Sequence, residues 1–287
     1  MVKNFFNISD LSRKNIEDII QNKSSNNLKG KNIGLIFEKY STRTRMSFTV
    51  GINHLEGNSI DIRFSELNIS RDETFEDTFK TLDLYLDGLI YRTDNHNKLL
   101  NASKYFHKPI INALSDKSHP CQILSDLYTL FEVFKSFEIH VLWIGDMNNV
   151  CFSLVEAANL FEEFKLTICS PTEIFENLKW DTNKNINIVH KVSDIDLSSV
   201  QCVMTDVFIS MNDKDNESKV KLLKNYTVND DLILKTTKDS IFMHCLPAKV
   251  GFEVTKSVFE SSKSIVWRQA YNRMVTQKKL LQFINWD

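Results

Sequence analysis

Apolar residues along the chain follow two recurring patterns. One is a short unbroken apolar run, which suits a strand buried on both faces. The other is an apolar residue every three or four positions, which suits a helix with one buried side. Runs at 33–37, 59–64, 88–92 and 109–114 predict strands. Ser12 predicts the cap of a first helix carrying Ile16, Ile19 and Ile20. Further helices are predicted over 42–55, through Phe75, Phe79, Leu82 and Leu86, and over 99–106. A long helix over 120–134 turns Ile123, Leu127, Leu130 and Phe134 to one side.

The pattern then restarts. A run at 139–145 enters a helix over 149–161, and runs at 166–169, 186–189, 202–207 and 241–245 predict four more strands. A charged helical stretch covers 218–235, and an amphipathic helix closes the chain over 265–284. Alternating strands and helices imply an α/β fold of two domains, each a parallel sheet flanked by helices. The expected domains are 1–134 and 135–264, with a C-terminal helix, 265–287, packing back on the first domain. Ligands of such sheets bind in crevices at the carboxyl ends of the strands. The polar residues expected there are Glu38 to Ser41, Arg92-Thr93, Ser118-His119, Gly145-Asp146, Asp206 and His244-Cys245.

Composition narrows the partners. The 287 residues are 42% hydrophobic and 25% charged, enough to bury a core in each of two domains. Lys+Arg total 35 and Asp+Glu 37, a formal charge of −2, so a broad basic surface for nucleic acid is excluded. An anion must be held by a local cluster. Five scattered cysteines without a CxxC pair suit free thiols in a reducing compartment. The N-terminus lacks an apolar signal region and the apolar run at 141–144 is far too short for a membrane span. The expected location is the cytoplasm.

Ser41-Thr42-Arg43-Thr44-Arg45 lies between a predicted strand and helix. A helix start attracts anions, and hydroxyl and guanidinium donors suit phosphate oxygens. The same five residues also read as an ordinary cap with surface arginines. No Walker A loop and no GxGxxG is present, so a nucleotide site is unsupported. In His119-Pro120-Cys121-Gln122, Pro120 suits the first helical position, and a helix start disfavours imidazolium, so His119 can stay neutral or simply cap the helix. Asp206 and His244-Cys245-Leu246-Pro247 end strands, where a turn Asp and a buried thiol are equally ordinary. HExxH and a serine nucleophile elbow are absent, and no metal site or cofactor is expected.

Taken in order, these segments resemble a family. They are Phe37-Glu38-Lys39-Tyr40-Ser41-Thr42-Arg43-Thr44-Arg45, His119-Pro120-Cys121-Gln122, Gly145-Asp146-Met147-Asn148-Asn149-Val150, Asp206-Val207-Phe208-Ile209-Ser210-Met211, His244-Cys245-Leu246-Pro247 and Gln269-Ala270-Tyr271-Asn272-Arg273-Met274. The set is similar to the ornithine carbamoyltransferases over nearly the whole chain. The resemblance implies transfer of the carbamoyl group of carbamoyl phosphate to the δ-amine of L-ornithine, giving citrulline and phosphate, with no metal in the chemical step. It implies that Ser41, Thr42, Arg43 and Thr44 hold the phosphate. Arg92, His119, Gln122 and Arg273 would hold the carbamoyl end, with the backbone near Cys245 and Leu246. Asn149, Asp206, Ser210 and Met211 would grip ornithine. Arg92, His119, Asp206, Cys245 and Arg273 are the implied catalytic set. The implied assembly is a homo-oligomer, by resemblance a trimer, in which the stretch 66–73, with Asn68, reaches a neighbour's site. The family's product feeds arginine biosynthesis, and the reverse, citrulline-degrading direction stays open.

Several positions depart from the family pattern. Asn212 stands where Gly usually follows Ser-Met, and Asn68 where Gln is usual. Lys249-Val250-Gly251-Phe252-Glu253 replaces a more polar run, and Tyr271 and Val275 replace Glu and His. Three alternatives remain open: an aspartate carbamoyltransferase, a carbamoyltransferase for a diamine such as putrescine, and a non-catalytic homologue.

Overall fold

The structure is a computed structural model, and it describes residues 3–70, 72–175, 180–209 and 216–286. The chain forms two compact units. The first comprises Met1–Tyr128 and Asn272–Asp287, the second Thr129–Tyr271.

The first unit is built on β1 (Asn32–Phe37), β2 (Asn58–Arg63), β3 (Gly88–Arg92) and β4 (Ile110–Leu114), in the order β2-β1-β3-β4. All pairings are parallel. Every residue of β3 is buried, while the edge strand β2 is exposed at Asn58, Ile60, Asp61 and Arg63 and half-buried at Ser59 and Ile62. Helices α1 (Arg13–Ile20), α2 (Arg43–His54), α3 (Phe75–Tyr85), α4 (His96–Ala102) and the start of α5 (Pro120–Phe134) join the strands. Ser12 caps α1 as expected, accepting from Asn15 N. Phe75, Phe79 and Leu82 of α3 and the following Leu86 pack against Ile36, Leu89 and Tyr91 of the sheet.

The second unit holds β5 (His140–Ile144), β6 (Lys165–Cys169), β7 (Ile186–Val189), β8 (Cys202–Thr205) and β9 (Ile241–His244). They lie parallel in the order β7-β6-β5-β8-β9, so the order reverses at β5. Its helices are α6 (Asn149–Leu160), α7 (Thr172–Phe175), α8 (Asn216–Leu223), α9 (Asp230–Leu234) and α10 (Lys256–Phe259).

The terminal helix α11 (Val266–Phe283) packs onto the first unit from Asn272 onward. A Cβ on Gly51 of α2 would meet Leu281 Cδ1 at 3.7 Å, and Lys279 Nζ donates to the Ile20 carbonyl at 2.6 Å. Trp286 packs against β3 where Gly88 has no side chain; a Cβ there would run into the benzo ring of the indole. Close approach of the ring to backbone is what the glycine permits.

Four expectations need correction. Helix α4 covers His96–Ala102 rather than 99–106, because the Asn95 side chain accepts from Asn97 N and starts the helix early. The stretch 218–235 is broken into α8, a 3-10 turn Lys224–Tyr226 and α9. There Thr227 Oγ1 donates to the Lys224 and Phe252 carbonyls, and Asn229 caps a new helix through Leu232 N. Such local side-chain bonds compete with helix propagation. Strand β8 stops at Thr205, whose hydroxyl turns to the Ile144 carbonyl at 2.6 Å, so Asp206 lies just beyond the strand. Phe134 is only half-buried at the end of α5.

Candidate active site

In the first unit the chain leaves β1 at Phe37 and enters α2 at Arg43, with Thr42 at the cap position. Thr42 and Arg43 are exposed and Ser41 is half-buried, so the donors of this helix start face outward. Thr44 is buried, and its hydroxyl accepts from Arg273 NH2 at 2.8 Å. Arg45, one residue on, is turned away to Asp61 at 3.0 Å. That separates Arg45 from the group.

Arg273 joins the group from α11. Its NH1 donates to Gln122 Oε1, and Gln122 Nε2 donates to Asp126 Oδ1 at 2.9 Å. Asp126, Gln122, Arg273 and Thr44 thus form one buried hydrogen-bonded chain with a fixed polarity. The carboxylate takes the amide's N–H, which leaves the amide oxygen facing the guanidinium. Asp126 was not singled out in the sequence. Its signal was a carboxylate four residues after Gln122 on the buried side of an apolar helix.

Arg92 ends β3, where the pairing with β4 slips by one residue between Tyr91 and Arg92. Slips of this kind re-aim a side chain at a strand end. Burial first, then the charges of Arg273 and Arg43, push the Arg92 guanidinium down to about 10. It stays charged at neutral pH. His119 is held well below the usual imidazole range by burial and then by Arg273, Arg92 and Arg43. The charges of Arg273, Arg92 and Arg43 thus all act on one buried imidazole and keep it neutral. The arrangement repels itself when empty, and a bound anion relieves the repulsion.

In the second unit, Asp206 meets Asn148 at the β5–α6 turn. Asn148 Nδ2 donates to Asp206 Oδ2 at 2.7 Å, while Asn148 Oδ1 caps α6 by accepting from Val150 N and Cys151 N. Gly145 opens this turn at φ +120, a conformation that side chains disfavour, and a Cβ there would fall 3.0 Å from the Phe208 ring. Asn149, expected as an ornithine contact, is the first residue of α6 and half-buried. Its neighbour Asn148, not singled out, is the one that holds Asp206. Ser210 and Met211, with Asn212, lie outside the described residues.

His244 ends β9 fully buried. Its Nδ1 bonds the Cys245 carbonyl at 2.7 Å, its Nε2 faces Glu253 Oε1 at 3.1 Å, and its backbone N–H donates to Gln269 Oε1 at 2.9 Å. Cys245 is half-buried and the Leu246–Pro247 peptide is cis. Ligand-type atoms of Asp206, His244 and Cys245 lie within 4.8 Å of one another. Both imidazole nitrogens of His244 already have partners, so a cation there would have to displace one of them. Asn68 is exposed and opens a 3-10 turn, Asn68–Ser70, with its carbonyl accepting from Glu73 N at 3.3 Å.

Residues 3–132 match the family model for the carbamoyl-P binding domain of aspartate/ornithine carbamoyltransferase, and residues 137–284 match the Asp/Orn binding domain. The chain is 40% identical to the ornithine carbamoyltransferase of Rhodopseudomonas palustris, over 88% of this chain and 83% of that protein. It is 37% identical to that of Aquifex aeolicus, over 99% and 98%. Among solved structures it resembles the ornithine carbamoyltransferase from Pyrococcus furiosus, with a TM-score of 0.87, 31% identity, and 99% and 97% of the two chains covered. It also resembles the anabolic ornithine carbamoyltransferase from Campylobacter jejuni, with a TM-score of 0.86, 29% identity and 97% of each chain covered. Thr44, Arg92, His119 and Gln122 fall in the first matched stretch, Asp206 and Arg273 in the second, and the chain belongs to the aspartate/ornithine carbamoyltransferase family.

Proposed function

We propose that the chain is an ornithine carbamoyltransferase, moving the carbamoyl group of carbamoyl phosphate to the δ-amine of L-ornithine. The observation that carries this reading is the buried hydrogen-bonded chain Thr44–Arg273–Gln122–Asp126, with Arg92 and His119 buried in the same unit. Carbamoyl phosphate brings its own leaving group. A protein that neutralises the phosphate, holds the amine close and stabilises the oxyanion of a tetrahedral intermediate has supplied the main terms of catalysis. Ser41, Thr42, Arg43 and Thr44 bind the phosphate in this reading. Arg92, His119, Gln122 and Arg273 hold the carbamoyl end, with His119 donating a hydrogen bond to the carbonyl oxygen as a neutral imidazole. The neutral δ-amine attacks the carbonyl carbon, the carbonyl oxygen takes the charge, and the C–O bond to phosphate breaks as the carbonyl re-forms, with the leaving phosphate taking the proton that the amine gives up.

Asp206 is assigned the α-ammonium of ornithine, with Asn149, Ser210 and Met211 as further contacts. Cys245 and Leu246 are assigned to the carbamoyl group. A carboxylate held by Asn148 attracts the α-ammonium and repels the second carboxylate that aspartate would bring, so the site selects by repulsion as well as fit. Among the described residues no helix is long and apolar enough to cross a membrane. The reading carries a cytoplasmic homotrimer in which Asn68 serves a neighbouring site.

A citrulline colour assay on the purified chain tests the reading. Turnover is expected with ornithine, little with putrescine and none with aspartate. Asp206→Ala should raise the ornithine KM and lower kcat. Faster carbamoylation of aspartate, or a wild-type Asp206→Ala, would overturn it.

A further inference from the structure

The run Lys249-Val250-Gly251-Phe252-Glu253, which departs from the family pattern, contains one carboxylate, and that carboxylate is buried. Glu253 is 0% exposed, and an ionisable group inside a core needs partners. Its backbone is fixed first. The Glu253 carbonyl accepts from Val228 N at 2.9 Å, and Val228 and Val254 form a parallel bridge within the core of the second unit. The side chain starts from this fixed base and meets the end of β9.

There one oxygen, Oε1, serves two groups. It accepts from the Lys249 backbone N–H and faces His244 Nε2 at 3.1 Å. His244 precedes the segment 245–248 and Lys249 follows it. A single carboxylate oxygen therefore ties both ends of the segment that holds Cys245 and Leu246. The second oxygen, Oε2, is buried and has no hydrogen-bond partner among the described residues. The link continues through the imidazole, whose Nδ1 bonds the Cys245 carbonyl at 2.7 Å. A carbonyl only accepts, so Nδ1 carries a proton and Nε2 is the nitrogen turned to Glu253. Donation from His244 N to Gln269 Oε1 at 2.9 Å holds the backbone from which the ring hangs. The imidazole thus fixes the direction in which the Cys245 carbonyl points, and Glu253 fixes the imidazole.

The geometry points to Glu253 as a positioning residue for the carbamoyl end of the substrate: it orients His244, and His244 aims the Cys245 carbonyl as an acceptor for the carboxamide N–H. This rests on the carbamoyltransferase reading, in which Cys245 is assigned to the carbamoyl group. Without Glu253 the imidazole can turn about its own side-chain bonds, and the carbonyl loses its guide. The phosphate end, assigned to Ser41, Thr42, Arg43 and Thr44, has no part in this link. Recognition of the carboxamide should therefore fall while recognition of phosphate is kept. A residue that merely stabilised the second unit would not divide the two ligands in this way.

The experiment compares two ligands by calorimetric titration of the full-length chain, beside a citrulline assay. Phosphonoacetamide carries both a carboxamide and a phosphonate; inorganic phosphate lacks the carboxamide. Glu253→Met fills the space without a hydrogen-bonding carboxylate. It should weaken phosphonoacetamide binding about tenfold, the scale of one hydrogen bond, and leave phosphate affinity within about twofold of wild type. Glu253→Gln should stay within about threefold of wild type for both ligands, because its amide can donate to a neutral Nε2 while its oxygen accepts from Lys249 N. If Glu253→Met melts early by circular dichroism, His244→Gln carries the same comparison, since it places an amide near the Nε2 position but no donor at that of Nδ1. Unchanged phosphonoacetamide affinity, an equal loss of both ligands, or a Glu253→Gln variant as weak as Glu253→Met overturns the proposal. A wild-type chain that makes no citrulline would instead overturn the carbamoyltransferase reading, while the two-ligand comparison is read on binding alone.

Discussion

Asp126→Ala isolates the buried chain that orients Arg273. Asp126 is fully buried and Gln122 is 2% exposed, so water cannot replace the lost carboxylate freely. The variant removes the 2.9 Å bond from Gln122 Nε2 and leaves that N–H inside the core without its acceptor. An unsatisfied buried donor costs about 1–3 kcal/mol. The amide can escape that cost by inverting, but its N–H group then faces the Arg273 guanidinium, which loses its acceptor instead. Arg273 keeps its bond to Thr44 but is no longer fixed from the Gln122 side. A loss of about 2–3 kcal/mol in carbamoyl phosphate recognition follows, roughly 30- to 150-fold in kcat/KM. Asp126→Asn keeps an oxygen that accepts from Gln122 and loses only charge, so it should fall within about tenfold of wild type. Initial rates of citrulline formation against carbamoyl phosphate, at saturating ornithine and well below the melting temperature, read both variants. An alanine variant with wild-type kcat/KM for carbamoyl phosphate would refute the orienting role. So would a loss confined to the ornithine KM.

Other outcomes follow from single features. His119, His96 and His140 are all depressed by burial first, so the unfolded chain binds protons that the folded one refuses. Stability is therefore full above about pH 6.5 and falls as pH drops below it, by up to ~1.4 kcal/mol per pH unit per histidine; urea titrations should show this, with a shallower fall in His119→Gln. Gly88→Ala forces a methyl into the Trp286 indole and should cost about 1–3 kcal/mol, relieved in a Trp286→Leu background. Arg43→Ala should weaken carbamoyl phosphate binding by about 2–5 kcal/mol with an unchanged circular dichroism spectrum; near-normal affinity in calorimetry would remove Arg43 from the phosphate site.

Periodicity located most strands because parallel strands buried on both faces read as plain apolar runs. It failed where side chains bond locally to the backbone, as at Asn95, Thr227 and Asn229, since such bonds have no period. Strand order was beyond it too, because pairing depends on which runs meet rather than on either run alone. His119, Gln122 and Arg273 stand out because they belong to recognisable segments, and Arg92 because it ends a buried strand. Supporting residues do not. Glu253 looks like any loop acid until His244 is found against it. Asn148 was overlooked beside Asn149 because one residue along a helix start decides whether an amide meets Asp206. Asp126 carries a readable anomaly, a carboxylate on a buried helix side, which apolar-pattern reading passes over.

Arg273 and Trp286 belong to the first unit, yet both follow the second in the chain. On the ribosome this order has a cost in time. The stretch Thr129–Tyr271 must be synthesised first, which takes on the order of ten seconds at ordinary elongation speeds. During that interval Thr44 and Gln122 lack their guanidinium partner and β3 lacks its indole cover. A nascent chain that has not reached residue 273 lacks one member of the proposed carbamoyl phosphate site, whatever the state of its first sheet. Carbamoyl phosphate can therefore act as a selective stabiliser of finished molecules, holding the completed unit together while leaving prematurely terminated products exposed to proteolysis.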